Sequence, residues 1–159
     1  MRFAGWVALI VGSLIFQSVF APLFFGSGRL DMLLLIVVST GLLYGKEAGI
    51  GVGIVAGILQ DLAVGNILGL NLLTKMLIGF LAGLIEQKVF KDHILLPLLG
   101  ALSAVLLQCV GQCLFMLMQG FTVSVSEALR YVLMPMLVVT TAAAVPMHAL
   151  VRKLQIRMR

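Results

Sequence analysis

Charge is scarce in this chain. Eleven basic and six acidic residues make up 11% of its 159 positions, against about 25% in a soluble domain. No polar stretch is long enough to form a separate water-exposed domain, which excludes an ordinary soluble protein. Cysteine is limited to Cys109 and Cys113. A four-residue spacing puts both on one helix face, and no His or acidic residue accompanies them. That excludes a disulfide framework and a recognisable zinc motif, and two small core thiols are expected. Histidine is limited to His93 and His148, neither with ligand-spaced companions, so no metal site is expected. Strand patterns are missing, and with them any glycine-rich phosphate loop between a strand and a helix. Serine and threonine are scattered, and no nucleophile–base–acid set emerges. Catalytic residues and cofactors are therefore expected to be none. The net charge of +5 lacks a basic patch interleaved with exposed aromatics, which argues against nucleic acid as a partner.

What the chain has is apolar length. Hydrophobic residues make up 62%, and mean hydropathy is +1.18. A bilayer crossing takes about 20 residues. Six apolar segments divide the chain, at about 3–21, 30–44, 48–64, 67–85, 94–118 and 128–151. The reading is one polytopic membrane domain over residues 1–159: an all-α integral membrane protein built as a six-transmembrane-helix bundle. Arg2 and the apolar run behind it look like the start of a secretory signal. No small-x-small cleavage site follows, so a retained first helix is expected. Gly45, Lys46 and Glu47 interrupt the second and third segments. As one helix, Leu30 to Val64 would be about 52 Å long, well beyond the ~30 Å hydrocarbon layer. A tight hairpin is expected there instead.

Basic residues set the orientation. With six crossings, Arg2, Lys46, Lys88, Lys91, Arg152, Lys153, Arg157 and Arg159 share one side, eight of the eleven. Both termini are therefore expected in the cytoplasm. The basic tail, Arg152, Lys153, Arg157 and Arg159, is expected to lie on the anionic inner leaflet.

Glycine carries the sharpest pattern. Gly45, Gly49, Gly53 and Gly57 recur every fourth residue, and Asp61 takes the next place. Such a series makes a side-chain-free groove on one helix face, suited to close helix contact in lipid. Internal packing and the docking of a partner helix both fit it. Ala4, Ala8 and Gly12 repeat the spacing on the first helix. Candidate partner-binding residues are thus Gly45, Gly49, Gly53, Gly57, Ala4, Ala8 and Gly12. Asp61 and Lys75 are ionisable groups at membrane depth, where charge is costly and turns inward. They are expected to pair, or to meet through Asn71 or Gln60, as an intramembrane polar cluster. Gln108 and Gln112 read as hydrogen-bonding glue between helices.

The segment from Gly28 to Leu84 resembles a known family. It reads Gly28-Arg29-Leu30-Asp31-Met32-Leu33, then Tyr44-Gly45-Lys46-Glu47-Ala48-Gly49, then Gly57-Ile58-Leu59-Gln60-Asp61-Leu62. Gly69-Leu70-Asn71-Leu72-Leu73 and Ile78-Gly79-Phe80-Leu81-Ala82-Gly83 follow. These stretches, with the chain's length and segment count, are similar to MreD, the rod-shape-determining membrane protein of bacteria. The resemblance implies a non-enzymatic, multi-pass component of the inner membrane that serves the cell-elongation machinery. It implies MreC as direct partner, and links through it to the filament protein MreB, a RodA-type polymerase and a class-B penicillin-binding protein. It also implies a fold similar to the S components of energy-coupling-factor (ECF) transporters. From that similarity comes the alternative of a small-molecule-binding transporter subunit, with Asp61, Asn71 and Lys75 as anchors.

Overall fold

A computed structural model describes residues 2–20, 30–64, 69–86, 95–118, 120 and 133–157. The described residues form six helices and no strand. Helix α1 spans Arg2–Ile15 and widens into a π-helical turn at Phe16–Phe20. Then come α2 (Met32–Tyr44), α3 (Lys46–Val64), α4 (Leu70–Glu86), α5 (Leu95–Met118) and α6 (Met134–Arg157). The expected start of the last helix lies outside the described residues, and its C-terminal end runs on through the basic tail as far as Arg157. By length and composition, Leu98–Met118 in α5 is the one described segment long and apolar enough to cross a bilayer by itself. Trp6–Val19, Met32–Tyr44 and Leu70–Ile85 are shorter apolar helices.

Helix α2 sits at the centre. Its thirteen residues are apolar almost all round, and Leu33 through Leu43 are buried without a break. A helix with no polar face must be covered on every side. Helices α1, α3, α4, α5 and α6 all pack against it. Ser39 and Thr40 are its buried polar side chains, and the Thr40 hydroxyl donates to the Ile36 carbonyl within the same helix at 2.6 Å. On α5, Gly100 leaves room for Val38 and Leu42 of α2.

The α2–α3 elbow turns on Gly45, at φ 89°. That conformation is open to glycine and strained for residues with a Cβ. The sequence read this position as interfacial, and its geometric task is the turn. A Cβ at Gly83 of α4 would come within 2.3 Å of the Lys46 backbone, so the elbow lies directly on α4.

The glycine groove is filled from within. A Cβ added at Gly49 would stand 2.3 Å from the Gly79 carbonyl oxygen, one at Gly53 2.6 Å from that of Lys75, and one at Gly57 2.4 Å from Leu72 Cα. Helices α3 and α4 thus touch backbone to backbone along their length. Gly41 of α2 joins the seam, where a Cβ would meet the Gly79 carbonyl at 2.8 Å. Of the two roles open to this ladder, the fold uses internal packing. The groove leaves no room for a second helix, so the expected partner contact at Gly49, Gly53 and Gly57 does not fit this face.

The outward faces are apolar. Leu62 on α3 and Leu73 on α4 are each 63% exposed and Val138 on α6 68%, whereas Lys75 and Thr140 are at 0%. Polar groups turned in and leucines turned out is the arrangement hydrocarbon favours.

Overpacking by one methyl group against backbone typically costs 1–3 kcal/mol, so Gly79→Ala is expected to lose about that much stability. Gly51 on α3 is exposed with open space around its Cβ position, and Gly51→Ala is expected to stay within about 0.5 kcal/mol of the parent. Unfolding in mild detergent, followed by size-exclusion profiles after heating, ranks the two.

Candidate functional site: a buried polar cluster

The cluster begins at the start of α2. A helix leaves its first N–H groups without partners. Asp31, the residue before α2, accepts from Leu34 N at 2.9 Å as an N-cap. Gln17 Oε1, presented by the π-helical turn of α1, accepts from Met32 N at 3.0 Å and Leu33 N at 3.4 Å. Two side chains from different parts of the chain thus cap one buried helix end.

Asp31 Oδ2 does more. It accepts from Lys75 Nζ at 2.7 Å, an ion pair whose side chains are 0% and 6% exposed. Gln60 Nε2 donates to the same oxygen at 3.2 Å. The sequence reading paired Lys75 with Asp61, and the structure corrects this. Lys75 is four residues beyond Asn71 on α4, and its long stem reaches across to the α2 cap rather than back to α3. Asp31 is near in space but 44 residues away in sequence.

Asp61 has another task. Its carboxylate accepts from Gly69 N (2.8 Å), Asn71 N (3.1 Å), Asn71 Nδ2 (2.9 Å) and Leu72 N (3.2 Å). It caps α4 from the last turn of α3. The positive end of the α4 dipole and these four donors hold its charge, so Asp61 needs no cation. Asn71 binds Asp61 but does not link it to Lys75, and Gln60 turns to Asp31. Asn71 Oδ1 in turn accepts from Gln108 Nε2 of α5 at 3.1 Å. The cluster therefore ties α1, α2, α3, α4 and α5 together.

Gln17 and Asp31 were not assigned site roles from the sequence. Asp31 carried a usable signal, since an aspartate directly before an apolar helix is a strong cap candidate. Gln17 carried none, because only the fold brings it to that helix end.

The other candidates scatter. Ala8 and Gly12 lie exposed on α1, Gly12 with open space around its Cβ position. The Ala4 side chain lies outside the described residues. At the far end of α6, Arg152 and Lys153 are exposed, and the side chain of Arg157 and all of Arg159 lie outside the described residues. Cys109 is buried and Cys113 half-buried, both as free thiols. Trp6 and Tyr44 stack edge to face at 5.7 Å, which fastens α1 to α2 at the end opposite Gln17.

Removing one partner of a buried ion pair leaves the other charge uncompensated, at a cost of about 3–5 kcal/mol. Lys75→Met is expected to destabilise by that order. Adding Asp31→Asn restores most of the loss, whereas adding Asp61→Asn does not. Thermal unfolding of the three variants in one detergent decides between the pairings.

A model of the family described as rod shape-determining protein MreD matches residues 1–158. No curated protein and no solved structure matches the chain. The match spans essentially the whole chain, including the elbow, the glycine seam and every member of the polar cluster. The chain belongs to the MreD family of rod-shape-determining membrane proteins.

Proposed function

We propose that this protein is a non-enzymatic scaffold of the bacterial cell-elongation machinery, a multi-pass component of the inner membrane that binds MreC through membrane helices. The observation that carries the reading is membership of the MreD family over residues 1–158. Two structural features support it. The buried ionisable and amide groups hold one another and the helix ends, which suits a framework more than a substrate site. The outward helix faces are apolar, as membrane neighbours require.

The docking face follows from what the bundle leaves open. With the α3 groove filled, α1 keeps an uncovered small-residue face at Ala8 and Gly12, flanked by exposed Val7, Val11 and Ile15. Small residues let two backbones approach closely in lipid, and this face is our choice for the MreC membrane helix. Both termini face the cytoplasm in this reading. Arg152, Lys153, Arg157 and Arg159 then meet the anionic inner leaflet. Through MreC the chain joins MreB, a RodA-type polymerase and a class-B penicillin-binding protein in peptidoglycan synthesis.

The test is co-purification from membranes in mild detergent. The Ala8→Leu/Gly12→Leu double variant is expected to insert and unfold like the parent while MreC recovery falls about tenfold, a loss of about 1.4 kcal/mol. Unchanged recovery removes α1 as the dock. Failure of the parent chain to bring down MreC removes the partner assignment itself.

A further inference from the structure

The polar cluster does not close on itself. Gln108 is 1% exposed, and its Nε2 is held by Asn71, but its Oε1 is buried with no hydrogen-bond partner. Gln60 Oε1 is in the same condition, although its Nε2 is engaged with Asp31. A buried amide oxygen left unpaired costs about 1–3 kcal/mol, and such groups in native proteins are satisfied by protein or by ordered water. Each of the two glutamines is tied to the same stretch of α4 or to a partner of it. Gln60 and Lys75 donate to the same Asp31 oxygen. Asn71, which holds Gln108, lies four residues before Lys75 and so on the same face of α4.

Donor and acceptor arithmetic then selects the ligand. Both open atoms are acceptors. Lys75 has three N–H donors, and Asp31 Oδ2 takes one of them. A metal cation suits the two oxygens but competes with the ammonium already seated beside them. Another carbonyl or carboxylate suits the ammonium but not the oxygens. Water serves both, since it accepts from Lys75 and donates to the two glutamines. Three hydrogen bonds are typical for a buried water.

We propose that the bundle binds structural water in this cluster, at a site formed by Lys75 Nζ, Gln60 Oε1 and Gln108 Oε1. The water adds a joint among α3, α4 and α5 to the direct Asn71–Asp61 and Gln108–Asn71 bonds. It also makes the Asp31–Lys75 pair a hydrated latch whose ammonium protons exchange with solvent.

Magic-angle-spinning NMR on the full chain in lipid bilayers, with lysine Nζ labelled with nitrogen-15, reads this directly. Magnetisation started on water is expected to reach Lys75 Nζ, although its side chain is 0% exposed. The Gln60→Met/Gln108→Met double variant is expected to lose that transfer while exposed Lys46 keeps it. The single Gln60→Met variant, altered at the half-buried rim of the cluster, gives the same comparison if the double variant does not fold. No water transfer to Lys75 in the parent overturns the proposal, as does unchanged transfer in the folded variant. Replacing potassium by sodium in the buffer provides the second arm. A shift of the Gln60 and Gln108 amide carbons on that exchange assigns the site to a cation and overturns water.

Discussion

Backbone contact between α3 and α4 is the constraint on which the rest of the bundle rests. Hydrocarbon supplies no hydrophobic drive between helices, so association depends on close van der Waals contact and on interhelical hydrogen bonds. The seam through Gly49, Gly53, Gly57 and Gly79 supplies the first, with backbone against backbone and no room for a Cβ. It also sets where everything else stands. With the two axes so near, the end of α3 lies beside the start of α4, which is why Asp61 caps α4. The same approach carries Lys75 to the N-terminal end of α2.

The cluster at that end solves an electrostatic problem in two ways. Asp31 and Lys75 neutralise each other, and Asp61 is balanced by backbone N–H groups and a helix dipole. Each charge is matched locally and none is left to the lipid. The cost of this solution is specificity of position. Members come from distant parts of the chain, and a displacement of any of the helices they join unpairs a group in a low-dielectric interior. A rigid framework is the expected result, in keeping with the scaffold role proposed above.

Much of this was legible in the sequence. The apolar segments, the break at Gly45, the importance of the glycine series and the inward turn of Asp61 and Lys75 follow from period, length and the cost of charge in lipid. The partner of Lys75 was missed because spacing along neighbouring helices favours the local acid. Asp31, a cap by pattern, offers no sign in sequence that it also meets a lysine 44 residues away.

The sequence by itself determined that the chain is helical, that its polar residues are too few to face outward, and that some close helix contact runs through its glycines. These follow from one-dimensional pattern and from the free energy of transfer. Only the tertiary structure decided which helix fills the groove, which carboxylate the lysine takes, and which small-residue face stays open on α1. A groove, a charge and a bare face each have several partners of equal chemistry along the chain. The choice among them is made by which helices can be brought together at once.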